Sequence, residues 1–114
     1  DLVGHTGKPD AANTAAAGVD PGSTRIADAL DKVGGEALIT ADHGNCEQMT
    51  DPASGQVHTA HTTGPVPLVY VGHRKVSLKD DGSLSDVAPS LLAMMGLEQP
   101  GDMTGHSLVT LSQD

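Results

Sequence analysis

The sequence has 114 residues, of which 37% are hydrophobic but only one, Tyr70, is aromatic. An aliphatic core of Ala, Val, Leu, Ile and Met buries little area per residue and is marginal for a complete domain of this size. Fifteen acidic residues against six basic ones give a net charge of −9, which argues against nucleic acid as a partner and leaves any phosphate-handling site dependent on metal cations or on bases from elsewhere.

The chain begins on Asp1, without an initiator methionine, and reads as a piece of something longer. One cysteine, Cys46, excludes an internal disulfide and points to a reducing cytoplasm. The 114 residues contain no apolar run of 18 residues and no signal-peptide pattern, so neither a membrane span nor a leader is expected from them.

DLVGHTGKPD, residues 1–10, reads as a loop or strand end entering a helix, with Pro9 suited to the first turn. AANTAAAG continues as helix to Gly18. Asp20 as cap and Pro21 at the first position then predict a second helix. Ile26, Leu30 and Val33 fall at helical spacing on it, and Gly34-Gly35 stop it. ALIT, 37–40, reads as a buried parallel strand. Residues 45–62 are polar and irregular, long for a plain connection, and loops of that length are often functional. VPLVYVG, 66–72, is the strongest strand, and DDGS around Gly82 is a turn. LSDVAPSLLAMMG, 84–96, predicts a helix with Ser85 near its start, Pro89 in its first turn and Gly96 as C-terminal cap. The tail, PGDMTGHSLVTL, adds a short edge strand. This order predicts an α/β layered domain. Ligands in such sheets gather beyond the carboxyl ends of the strands, where Asp42 and His43 stand.

Histidines and acids meet in three short segments: Asp1-Leu-Val-Gly-His5, Asp42-His43-Gly44-Asn45 and His58-Thr-Ala-His61. Asp1 and His5 converge on one cation if the loop turns through Gly4. Carboxylates with imidazoles form an N/O donor set suited to Mn²⁺, Zn²⁺ or Fe and less to Ca²⁺. Five or six such donors suffice for two metals, which clamp phosphoryl oxygens during in-line displacement. The plainer alternative is an Asp-His turn feature with a solvated His-x-x-His loop. No Walker glycine loop, CxxC or G-x-S-x-G is present.

DLVGHTG, ITADHGNCEQM, HTAHTTGPVPLVYVG and LSDVAPSLLAMMGLEQPGDMTGHSL, in that order, closely resemble the C-terminal part of the cofactor-independent phosphoglycerate mutase family, within the alkaline phosphatase superfamily. The resemblance covers nearly the whole chain. It implies an alkaline-phosphatase-like layered sheet with flanking helices. Residues 1–114 would be the C-terminal portion of the metal-binding phosphatase domain, without the upstream nucleophile region and the inserted phosphotransferase domain. It implies interconversion of 3-phosphoglycerate and 2-phosphoglycerate through a phosphoserine, with two divalent cations, usually Mn²⁺, and with Mg²⁺, Co²⁺ or Zn²⁺ as alternatives. Asp1, His5 and His61 would bind one metal, and Asp42 and His43 the second. His61 is the histidine of the family's A-H-T element, so His58 is a neighbour. The nucleophilic serine, a further Asp and the substrate-gripping arginines and lysine would lie outside this chain, which predicts that the piece alone is inactive.

The parent is expected to be a cytoplasmic monomer acting on a small molecule, with no nucleic-acid or membrane partner. Local departures from the family pattern are Gly64, Cys46 and Pro21. The rivals are another phosphatase of the superfamily, a phosphopentomutase, and a non-catalytic metal-binding module. The H-T-A-H-T-T-x-P-V-P element argues against the first two.

Overall fold

A computed structural model describes residues 1–112. The chain forms two compact units, Asp1–Val71 and the residues from Gly72 onward.

In the first unit, a 3-10 turn at Gly4–Thr6 ends on Gly7 in the left-handed region (φ 64°). The Thr6 hydroxyl donates to the Val3 carbonyl and accepts from Lys8 N–H, which releases the chain into helix α1, Pro9–Val33. Pro9 opens α1 where its missing N–H costs nothing, and Asp10 lies at the positive end of the helix dipole. Gly34 (φ 69°) closes α1, with its N–H on the carbonyls of Asp31 and Leu30.

The expected break at Gly18 is absent. Asp20 is no cap, and Pro21 lies inside one 25-residue helix. An interior proline costs about 3 kcal/mol and a glycine about 1. Propagation outweighs both, because every residue of the flanking AAA and IADALDKV runs adds a bond to a helix already nucleated. The Ser23 and Thr24 hydroxyls donate back to the carbonyls of Val19 and Asp20 around the proline.

Strand β1, Ala37–Thr40, pairs with β2, Leu68–Val71, in register Ala37↔Val71 through Thr40↔Leu68. The pairing is antiparallel, which corrects the parallel reading. A parallel pair needs a crossover element, and the chain between Thr40 and Leu68 forms no helix. The strand is also not buried, since Ile39 is 42% exposed. A short apolar run does not by itself say which pairing or how much cover it receives. β2 starts at Leu68 rather than 66 because Pro67 has no N–H to give a ladder. The Pro67 carbonyl instead accepts from the Thr40 hydroxyl at 2.8 Å.

The second unit pairs β3, Val76–Leu78, with β4, Val109–Leu111, antiparallel. β4 is the expected tail strand. β3 was not foreseen, because HRKVSLK offers too few apolar residues to mark it. A 3-10 turn at Leu84–Asp86 leads into helix α2, Val87–Met95, which Gly96 closes at φ 70°. The cap of the 3-10 turn is Ser83, and Ser85 lies within the turn, just ahead of α2. The Ser83 hydroxyl and N–H exchange bonds with the Asp86 end of a capping box. Ser90 is fully buried; its hydroxyl donates to the Asp86 carbonyl at 2.6 Å and accepts from Leu108 N–H at 2.9 Å. That ties α2 to the β4 approach.

The Asp86 carboxylate accepts from the N–H groups of His106 (2.7 Å) and Ser83 (2.8 Å). These bonds, His106 first, hold its carboxyl below the ordinary value of 3.8. A lowered folded pKa stabilises the fold above the unfolded value, and that contribution is lost as pH falls below 3.8 toward the folded value. Acid unfolding followed by the amide signals of residues 84–96 is expected to show a limb in that window, which Asp86→Asn flattens. An unaltered limb in the variant would remove Asp86 as its source.

Candidate metal centre

Three backbone arms of the first unit meet at one place. The first is the N-terminal turn. It brings His5 N–H over the carbonyls of Asp1 (3.4 Å) and Leu2 (3.2 Å), so the two side chains lie on one side. The turn passes through a glycine because a Cβ at Gly4 would run into the Asn45 amide oxygen. The second arm is the exit of β1, where Ala41 leads to Asp42 and His43. The third is the end of the 45–62 loop, closed by antiparallel bridges Thr50↔Val57 and Gly44↔Thr62.

His5 Nδ1 lies 2.6 Å from the Thr59 carbonyl, and His43 Nδ1 lies 3.1 Å from the Gly44 carbonyl. A carbonyl only accepts, so each Nδ1 carries a proton, and in the neutral ring each Nε2 is then left as the ligating atom. His5 Nε2 is 3.4 Å from Asp1 Oδ2, and His61 Nε2 is 3.4 Å from Asp1 Oδ1. His43 Nε2 is 3.5 Å from both Asp1 Oδ1 and Asp42 Oδ1. The rings of His43 and His61 stack with centroids 3.4 Å apart. Asp1 is therefore shared: its Oδ2 faces His5, and its Oδ1 faces both His61 and His43.

The structure thus gathers Asp1, His5 and His61 with their donor atoms all within 4.8 Å of one another. Asp42 and His43 form an adjoining pair, with Asp42 the most exposed of the five at 84%. His58 stays outside the cluster. Its N–H bonds to the Met49 carbonyl, and its Nε2 is shielded without a hydrogen-bond partner among the described residues.

The donor set fits a divalent cation. With metal–ligand bonds of about 2.1 Å, neighbouring ligands lie about 3.0–3.4 Å apart. His5 Nε2 and His61 Nε2 lie 2.9 Å apart, a separation at which two lone pairs repel unless a proton or a cation lies between them. Burial first, then the neighbouring His43 and His5 rings, holds the His61 imidazole below its ordinary value of 6.5, against an opposing pull from Asp42. That favours the neutral ring, the form that ligates. A cleft of about 910 Å³ opens beside the cluster, between Asp1, Asp42 and His43 and the Ala12, Ala16 and Val19 face of α1.

Three polar residues that link the arms carried no role in the sequence: Asn45, Glu47 and Thr62. Their only signal is position, two to four residues beyond Asp42-His43 and immediately after His61.

Residues 1–99 match the model of the metalloenzyme superfamily. The chain is 63% identical over 111 residues to the 2,3-bisphosphoglycerate-independent phosphoglycerate mutase of Pseudomonas aeruginosa, covering 97% of this chain and 22% of that protein. It is 61% identical over 109 residues to the enzyme of the same name from Hahella chejuensis, covering 96% of this chain and 21% of that one. The chain therefore spans about a fifth of the length of the curated relatives it matches. Among solved structures it superimposes on a Leishmania mexicana phosphoglycerate mutase, crystallised at low cobalt concentration, with a TM-score of 0.85 and 32% identity. That match covers 98% of this chain and 23% of the other. An α/β fold shared with that enzyme, and a family match running from residue 1 to residue 99, lead to one conclusion: the chain belongs to the metalloenzyme superfamily.

Proposed function

We propose that residues 1–114 form the C-terminal portion of the metal-binding domain of a phosphoglycerate mutase, interconverting 3-phosphoglycerate and 2-phosphoglycerate through a phosphoserine. The observation that carries the proposal is the convergence of Asp1, His5 and His61 from two distant segments, with Asp42 and His43 beside them. Identity of 63% over 111 residues to the Pseudomonas aeruginosa phosphoglycerate mutase supports this chemistry over the phosphatase and phosphopentomutase alternatives.

Asp1, His5 and His61 hold one divalent cation, and Asp42 and His43 hold part of the shell of a second. Mn²⁺ is the preferred ion, with Mg²⁺, Co²⁺ and Zn²⁺ accepted by the same donors. When bound, such cations lower the pKa of a hydroxyl and offset charge on a transferring phosphoryl group. The chain's own contribution is orientation. The Thr59 and Gly44 carbonyls fix the His5 and His43 rings, and the cleft beside α1 gives the phosphoglycerate room next to the cluster. The serine nucleophile and the substrate-gripping bases belong, by the family resemblance, to segments these 114 residues do not carry. On this reading the reaction belongs to glycolysis and gluconeogenesis, in the cytoplasm, in a parent that acts as a monomer. No helix among the described residues is long and apolar enough to cross a membrane.

The test is a chimera in which residues 1–114 replace the matching segment of the Pseudomonas aeruginosa enzyme. Conversion of 3-phosphoglycerate to 2-phosphoglycerate by the chimera, with none by the chain alone, is the expected result. A folded chimera that only releases phosphate would overturn the mutase assignment.

A further inference from the structure

Beyond the β1–β2 ladder, which ends at Thr40↔Leu68, no regular sheet joins the arms that carry the metal-cluster residues, so something else must fix their spacing. The side chain at the junction is Glu47. One carboxylate oxygen, Oε2, accepts from Asn45 N–H at 2.8 Å, on the arm that carries Asp42 and His43. The other, Oε1, accepts from the Thr62 hydroxyl, on the residue next to His61. The contact is close enough that a Cβ at Gly44 would run into both Glu47 Oε1 and Thr62 Oγ1. Around it, Thr62 N–H donates to the Gly44 carbonyl at 2.8 Å, and the Asn45 side-chain amide donates to the Ala60 carbonyl at 3.2 Å. The oxygen of that same Asn45 amide lies against Gly4, on the first arm.

We infer that Glu47 is a positioning residue: its carboxylate clasps the β1-exit arm to the 45–62 loop and so sets the distance between His43 and His61. The inference rests on the metal-centre reading above. A carboxylate suits the role because it accepts two bonds on two oxygens and offers no proton of its own at neutral pH. It also adds negative charge beside the cluster without joining the Asp1, His5, His61 donor group. Without it, the loop end that carries His61 would be held by the Thr62–Gly44 backbone bond, the Asn45 amide bond to Ala60 and the His5 bond to the Thr59 carbonyl. Outer-shell partners of this kind commonly control metal affinity about 10–100-fold.

The experiment uses the whole chain and two substitutions from opposite ends of the clasp, Glu47→Ala and Thr62→Val, with Glu47→Gln as the conservative variant that keeps one carbonyl acceptor. Co²⁺ is the probe, read by calorimetry and by its visible absorption band. Amide hydrogen exchange at Thr62 is read in parallel without metal. Expected are a loss of Co²⁺ affinity of about tenfold or more in Glu47→Ala, a changed band intensity as His61 drifts from the ion, faster exchange at Thr62, and partial recovery in Glu47→Gln. General destabilisation would lower the folded fraction but leave the band of the bound ion as it was. Folded variants with unchanged affinity, band and exchange overturn the clasp, and Thr62→Val decides alone if Glu47→Ala fails to fold. A wild-type chain that takes up no Co²⁺ would remove the metal-centre reading. Thr62 exchange would then still decide the clasp, faster exchange in the variants supporting it and unchanged exchange overturning it.

Discussion

His61→Ala is expected to lower the Mn²⁺ affinity of this chain by more than about 100-fold, beyond the range for losing an outer-shell partner. The reason is central placement. His61 Nε2 is 2.9 Å from His5 Nε2 and 3.4 Å from Asp1 Oδ1, and its ring stacks on His43. Removing it takes away a donor and also the wall against which His43 is aligned. His58→Ala supplies the contrast. It lies three residues earlier on the same loop, outside the cluster, and is expected to leave the titration unchanged. Calorimetry of the two variants beside wild type checks this, and an equal loss in both would show that the ligand set is misassigned.

Gly105→Ala is expected to destabilise the second unit by about 1–3 kcal/mol, the usual cost of overpacking a closed contact. Gly105 is buried, and a Cβ there would run into the Ser85 carbonyl oxygen and come within 3.0 Å of Asp86 Oδ1. The obstacle is backbone, so no flexible side chain can move aside. The next residue donates the 2.7 Å bond from His106 N–H to Asp86, and Leu108 N–H two residues later bonds Ser90. A displaced Gly105 would strain both. For a chain of this size the melting temperature should fall by about 4–8 °C per kcal/mol. A calorimetric scan in which the variant melts with wild type would refute the tight-contact account.

The residue types at the candidate centre were legible because chemistry concentrates them. Acids and imidazoles in three short segments announce a donor set, and Gly4 announces a tight return. Gly34 and Gly96 were equally readable as helix ends, since the left-handed caps they form favour glycine. The direction of β1 against β2 was not legible, because three apolar residues and a threonine carry no record of their partner. Helix α1 misled through Gly18 and Pro21, whose local costs are real but smaller than the cooperative gain on either side. Glu47 escaped for another reason. Its importance lies in joining Asn45 to a threonine 15 residues away, and nothing in N-C-E announces that reach.

Among the described residues, the buried hydrophobic side chains are Ala12, Met94 and Val109, while Val19, Ile26, Val33, Ile39 and Val69 stand at 42% exposure or more. A fold so lightly filled releases little fresh apolar surface when it opens. Its unfolding should therefore carry a small heat-capacity increment and a shallow dependence on urea, because both scale with newly exposed area. Cooling would then weaken it less than it weakens proteins with dense interiors. Order here depends more on directional polar bonds such as those of Ser90, Asp86 and Glu47 than on the bulk of a greasy centre.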